Sequence, residues 1–369
     1  MNYIFYQTKT MFSNTGDALI NHALIKELRG YGKICANCSS DVPQEFLQAL
    51  GIKEDERVCF CSEFSFVKGV VAAALKAKQN GDRVFVFSGP GDMYGGSLKL
   101  AVRNIISGFL FPIFRICGVT VVRIGRSLGP ISRLMAVSEW FRSLSLSYTY
   151  VRDNKSLLRC RKIGIKKAKF CPDMSWLYHK GHHEFINHTG NVMVNLRNSI
   201  FDNTEEKFIE STLKQCDRVL CELNKKIDNM RVIVAYQVDG DSEFSKRVYD
   251  FFKDKYTTEF IDCRMKLDDF PAIYGNVDFH ISNRMHSLLV GYKYGSLPIA
   301  LIDKENHTKI SATFADCDLE SLIVDLKCGE TQDKVSFIYE NTESLMNQLF
   351  ICETCNQNRI TEELNMIFG

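Results

Sequence analysis

Short apolar runs separated by longer amphipathic stretches recur along this chain, and that alternation leaves few architectures open to it. In the first half the runs are Tyr3–Tyr6, Arg57–Cys61, Arg83–Phe87, Thr120–Ile124 and Tyr148–Val151. In the second half they are Val192–Leu196, Arg231–Tyr236, Glu259–Ile261, Val277–Ile281 and Ile299–Ile302. Helical periodicity falls between them, notably over Asp17–Leu28, Phe66–Lys78, Thr204–Lys226 and Ser242–Lys255. Strands that are apolar throughout, rather than on alternate residues, are buried on both faces, so the pattern predicts α/β layering with parallel sheets flanked by helices. No repeat or low-complexity segment interrupts it.

A length of 369 residues suggests two domains. The polar stretch Tyr178–Gly190 is the expected break, giving domains over 1–180 and 190–350, with 351–369 as a closing segment. Its last helix, Thr361–Phe368, is expected to cross back onto the first domain. Four of the eight histidines (His179, His182, His183, His188) fall in the break, but no regular spacing puts them on one face, and a linker accounts for them. The pairs Cys35/Cys38 and Cys352/Cys355 lack the second ligand pair of a structural zinc site. No metal is therefore expected. The chain opens directly on a strand and its 14 cysteines are scattered, which suits a reducing cytoplasm.

The net charge of +2 argues against nucleic-acid binding. The most apolar stretch, Leu98–Val122, is broken by Lys99, Arg103, Arg115 and Pro112, so it is not read as a membrane span. It reads as a helix pair buried in a core, or else as a basic amphipathic helix touching a membrane surface.

Chemistry concentrates at strand ends. After the run Val277–Ile281, Ser282-Asn283 offers an N-cap, and Met285, Leu288, Leu289 and Tyr292 repeat at helical spacing up to a stop at Gly295. Arg284 and His286 are thereby placed in the first turn, where unpaired N–H groups and the helix dipole favour an anion. The first half carries polar loops after successive strands. They are Asn14-Thr15-Gly16-Asp17, Ser88-Gly89-Pro90-Gly91-Asp92, Gly125-Arg126-Ser127-Leu128-Gly129-Pro130, Arg152-Asp153 and Pro172-Asp173. Together they describe one sheet edge facing a cleft, where ligands bind in open α/β folds.

These pieces, in this order, resemble the polysaccharide pyruvyl transferase family. The resemblance rests on Asn14-x-Gly16-Asp17, Ser88-Gly-Pro-Gly-Asp92, Gly125-x-Ser127-x-Gly129-Pro130, Val151-Arg152-Asp153-x-x-Ser156, Pro172-Asp173 and Ser282-x-Arg284-x-His286-Ser287. It spans residues 3 to 302, with two departures. Ser88 and Pro90 stand where the family usually has glycine, and Arg126 stands where Gln is more usual.

The resemblance implies two Rossmann-like domains in the GT-B glycosyltransferase architecture with a cleft between them, the first on the acceptor side and the second on the donor side. It implies phosphoenolpyruvate as donor substrate with no cofactor, and a saccharide acceptor, free or lipid-linked, with a pyruvate ketal as product. Arg284, Arg152, Ser287 and Asn283 are then donor contacts, His286 the general acid or the group that protonates the departing phosphate, and Asp17 the base. Asn14, Gly16, Gly89, Gly91, Asp92, Arg126 and Ser127 line the acceptor side, Asp92 being a second candidate base. A lipid-linked acceptor would bring the protein to the inner face of the membrane. Two other readings stand beside this one. A nucleotide-sugar glycosyltransferase should carry a carboxylate for the ribose on the helix after Arg284, but Leu288–Tyr294 offers none. A non-catalytic sugar-binding subunit would bind ligand without releasing phosphate. The residues do not fix the acceptor sugar or the oligomeric state.

Overall fold

The computed structural model describes residues 1–39, 41–60, 62–178, 189–197, 206–327 and 329–369. It divides into two compact units. The first comprises Met1–Phe12, Asp17–Tyr178 and Gln357–Gly369, and the second Ser13–Gly16 and the described part of His179–Asn356. The four break histidines lie outside the described residues.

The first unit is built on β1 (Asn2–Gln7), β2 (Lys33–Asn37), β3 (Arg57–Val58), β4 (Arg83–Ser88), β5 (Gly91–Gly95), β6 (Thr120–Ile131), β7 (Tyr148–Val151) and β8 (Lys169–Phe170). Their order is β3-β2-β1-β4-β6-β7-β8, with β5 paired to β6, and every pairing is parallel. One helical layer packs Phe66, Val67, Val70, Phe111 and Phe114 against Phe5, Val84, Val86 and Val121 of the sheet. The second unit holds β9 (Asn191–Asn195), β10 (Arg231–Tyr236), β11 (Thr257–Arg264), β12 (Phe279–Ser282), β13 (Leu297–Ile302) and β14 (Ile323–Asp325) in the order β11-β10-β9-β12-β13-β14, again parallel. Both orders reverse direction once, between β1 and β4 and between β9 and β12. Those switch points leave a crevice at the strands' carboxyl ends.

Several local expectations are corrected. The loop expected at Gly91–Asp92 is instead the short strand β5. The polar loop expected around Arg126-Ser127 is the far half of the twelve-residue β6. Gly125 makes this possible, because its φ of 72° accommodates a register shift between Arg123 and Arg126. Strands β2 and β8 escaped notice because they are short and mixed in polarity.

The helix Leu98–Ile116 runs through Pro112 rather than breaking there. Proline cannot donate to the carbonyl four residues back, and Ser145 Oγ takes over, donating to Gly108 O at 2.9 Å. This helix is neither fully buried nor a surface amphipath of the usual kind. Ala101, Asn104, Gly108, Phe111 and Phe114 face the core, while a second apolar stripe faces outward.

The final helix spans Thr342–Phe368, starting well before Thr361. Its last turns belong to the first unit, where Phe368 stacks on Tyr31 and Phe87 and Gln357 Nε2 donates to Trp176 O. Among the described residues no helix is long and apolar enough to cross a membrane.

Candidate functional site

In the second unit, strand ends on both sides of the β9/β12 switch point bring together groups distant in sequence. Ser282 closes β12, and its Oγ accepts from Arg284 N at 3.0 Å while donating to Asn195 O at 2.6 Å. The chain is thereby turned so that Arg284 itself, at φ −115° and ψ 116°, is the residue preceding the helix Met285–Lys293. The cap expected at Ser282-Asn283 is thus shifted by one residue. Arg284 ion-pairs with Asp241, which follows β10. Burial raises the Asp241 carboxyl above its ordinary range, and the charges of Arg284 and Arg197 pull against that. Arg284 and Arg197 thus both bring positive charge to the Asp241 carboxyl.

Asn283 is held by backbone on both sides of its amide. Its Oδ1 accepts from Arg197 N at 2.8 Å and its Nδ2 donates to Arg197 O at 2.9 Å, so it fixes the backbone from which Arg197 projects. Ser287 is likewise internal. It is fully buried in a chain running from Gln237 through Tyr274 to His280. Both side chains are thus engaged with neighbours inside the second unit.

His286 is largely buried in the first turn, against the segment Ser13–Gly16. That segment is held by a bridge from Asn14 to Val238, by Thr15 N donating to Gln237 O at 3.0 Å, and by Thr15 Oγ1 donating to Met265 O at 2.7 Å. A Cβ on Gly16 would lie 2.7 Å from His286 Nδ1, so only glycine allows this approach. Asn14 Oδ1 accepts from Gly16 N and shapes the turn. His307, after β13, is also buried, and burial with the nearby Arg197 charge pushes its imidazole down to about 4.

In the first unit the polar strand ends are tied to one another. Arg152 is buried; its Nε donates to Ser127 Oγ at 2.7 Å, its Nη1 to Asp173 at 2.8 Å and its Nη2 to Asp92. Burial opposes its charge, but Asp92, Asp173 and Asp153 more than offset it and hold Arg152 above its ordinary value. Ser127 donates in turn to Asp153, which also accepts from Ser156 N and Oγ. A guanidinium neutralised by two carboxylates is a poor anion clamp. Arg152 thereby braces β5, β6, β7 and the end of β8.

Gly89 has an internal reason too, since a Cβ there would meet Asn21 Oδ1 at 2.6 Å and the Tyr6 hydroxyl at 2.8 Å. Gly91, by contrast, has φ 156° and open space around it. Asp17 is half-buried, and its carboxylate accepts from Thr10 Oγ1 at 2.5 Å. Among the described residues no group of three or more His, Cys, Asp or Glu is placed to hold a metal.

Residues 14–295, about three quarters of the chain, match the profile of polysaccharide pyruvyl transferase. The chain belongs to the polysaccharide pyruvyl transferase family. Among curated proteins none matches. Solved structures resemble this transferase in fold alone. A glycosyltransferase from Rickettsia africae is 11% identical with TM-score 0.58, covering 99% of this chain and 97% of its own. The UDP-GlcNAc 2-epimerase of Neisseria meningitidis bound to UDP-GlcNAc is 11% identical with TM-score 0.51, covering 99% and 100%. UGT2 of Phytolacca americana, complexed with UDP-2-fluoro-glucose and pterostilbene, is 8% identical with TM-score 0.50, covering 100% of each chain. The transferase therefore has the GT-B fold of two Rossmann-like domains.

The residues that sequence reading passed over in this family member are Arg197, Asp241 and His307. Each follows a parallel strand of the second sheet, so a stricter application of the strand-end rule would have drawn attention to all three.

Proposed function

We propose that this polysaccharide pyruvyl transferase moves the enolpyruvyl group of phosphoenolpyruvate onto a sugar of a surface polysaccharide or its lipid-linked precursor, closing a pyruvate ketal and releasing phosphate. The observation that carries this reading is the cationic strand-end cluster of the second unit, where Arg284 pairs with Asp241 and the charge of Arg197 lies near the same carboxyl, beside a helix start. Phosphoenolpyruvate presents a carboxylate and a phosphate, and charge-assisted hydrogen bonds to each contribute about 1.5–3 kcal/mol. Arg284 and Arg197 are the natural pair to receive them.

The chemistry needs one proton in and two out. His286 protonates the methylene carbon, leaving an oxocarbenium-like centre that one sugar hydroxyl attacks. Asp17 takes that hydroxyl's proton. The second hydroxyl then displaces phosphate at the same carbon, its proton leaving with phosphate or through His286. Asp92 is the weaker candidate base, because its carboxylate already faces Arg152. The cations can all be side chains, so no cofactor is called for. A lipid-linked acceptor would place this work at the cytoplasmic face of a membrane.

Calorimetry of the whole chain with phosphoenolpyruvate, UDP-sugars and GDP-sugars tests the reading. Saturable phosphoenolpyruvate binding should weaken at least about tenfold in Arg284→Ala. Binding confined to a nucleotide-sugar would sink it and favour the second reading, a GT-B glycosyltransferase, which the shared fold keeps in view. Against that second reading, the helix Met285–Lys293 carries no carboxylate for a ribose.

A further inference from the structure

At the other switch point, between β1 and β4, the first unit contains a cavity of about 140 Å³ whose lining includes Gln7, Ser88, Arg103, Ser107, Arg126 and Arg142. Its charge is not balanced from within. The buried carboxylate nearby, Glu139, pairs with Arg123, and Glu63 at the rim pairs with Arg103. Arg142 donates from Nη1 only to the neutral Asn104, at 3.0 Å, and Arg126 reaches only Ser88 Oγ, at 3.4 Å. The Nε of each is buried with no hydrogen-bond partner.

Burial pushes Arg142 down to about 9 and, with Arg123 adding to it, Arg126 down to about 10, so both stay charged at neutral pH. Arg123, Arg126 and Arg142 all act on the buried carboxylate of Glu139, and positive charge in excess of that carboxylate, at buried Arg142 and half-buried Arg126, is costly unless something anionic arrives. Two guanidinium forks flanked by two serine hydroxyls present more donors than one carboxylate can use, which suits the several oxygens of a phosphoryl group.

What the phosphoryl group is attached to follows from the helix Leu98–Ile116. Leu98, Val102, Ile106, Phe109, Ile113 and Ile116 recur every three or four residues and are all exposed, Leu98 at 65%, Phe109 at 68% and Ile116 at 86%. Such a stripe is unusual on a soluble surface. The helix carries Lys99, Arg103 and Arg115 and no acidic residue, so its charge complements an anionic lipid. Arg103 and Ser107 line the cavity one residue on from Val102 and Ile106 of the stripe. Anion site and apolar track therefore adjoin, as an amphiphile requires.

We propose that this cavity is a phosphate subsite for the acceptor, receiving the phosphoryl group of a lipid-linked saccharide whose hydrocarbon lies along the outer stripe of the helix Leu98–Ile116. The assignment rests on the acceptor side of the pyruvyl transferase reading and is independent of the donor. Arg126, standing where the family more often has Gln, makes it a property of this chain.

The test is flotation of the full chain with phosphatidylcholine vesicles carrying a long-chain prenyl phosphate. Vesicles of equal surface charge carrying phosphatidylserine serve as the control, and inorganic pyrophosphate as competitor. The expected result is preference for the prenyl phosphate, displacement by pyrophosphate, and binding about tenfold weaker in Arg126→Gln at an unchanged melting temperature. Equal binding by wild type and Arg126→Gln, or no displacement by pyrophosphate, overturns the subsite. Pyrophosphate binding without any vesicle preference overturns the lipid assignment. Should Arg126→Gln fail to fold, Arg142→Gln and the pyrophosphate competition on the wild type still decide. No phosphoenolpyruvate enters this assay, so its failure is separable from failure of the donor calorimetry.

Discussion

His286 owes its position to an atom that is missing. With hydrogen as its side chain, Gly16 lets the imidazole come closer than any Cβ would permit, since the nearest approach would be 2.7 Å. Gly16→Ala should push His286 off its line. A displacement of about 1 Å costs catalysis on the order of a hundredfold. Phosphate release by the variant should fall by that order, while its thermal melting shifts by only a few degrees. Unchanged turnover would show that His286 has no positional task. Arg152 illustrates the opposite case, a charged residue named in the sequence motif that is consumed by Asp92, Asp173 and Ser127. Its type and its place after a strand are readable from the sequence. Its partners are not, because Asp92 is 60 residues away and reaches it only once β5 has paired with β6.

At the scale of elements, parallel strands do more than form a sheet: their ends set the spacing between loops. β9 and β12 are hydrogen-bonded neighbours, so Arg197 and Asn283, 86 residues apart, meet in a two-point backbone clasp. Asn283→Ala should remove both bonds, leave the Arg197 N–H buried without its acceptor, and cost about 1–3 kcal/mol. Donor affinity should fall as well, although Asn283 touches no donor in this reading. Urea unfolding and phosphoenolpyruvate titration would check the two effects. Loss of stability at full affinity would confine Asn283 to the scaffold. The helix Leu98–Ile116 teaches a related lesson. Its apolar periodicity was plain, but two apolar faces and one buried partner layer leave a stripe uncovered, and sequence alone cannot say which face the core takes.

For the whole molecule, acidity should be destabilising before the carboxylates titrate. Burial pushes His280 down to about 3 and, with Arg197 contributing, His307 down to about 4. In the unfolded chain both titrate near 6.5. The unfolded state thus binds protons that the native state refuses. The stabilisation is complete above about pH 6.5 and is lost as pH falls towards the native values. Between about pH 6 and about pH 5 the two together should remove roughly 2 kcal/mol. Urea midpoints across that interval should fall accordingly, and a flat profile would mean that one or both histidines are not buried neutral. The closing helix belongs to this scale too. Its first part is anchored in the second unit by the buried pair Lys293–Glu353, and its last turns lay Phe368 on Tyr31, Phe85 and Phe87 of the first.

By itself the sequence determined the α/β class, the parallel sheets and the strand ends at which polar chemistry collects. Each of these follows from local periodicity and from burial on both faces, which are written in consecutive residues. Only the tertiary structure decided which polar groups would neutralise one another. Arg152 and Arg284 look alike in their motifs. One is enclosed by two carboxylates, while the other pairs with the carboxylate of Asp241, near which the Arg197 charge also lies. That difference lies in partners far along the chain, and electrostatic balance depends on distance in space.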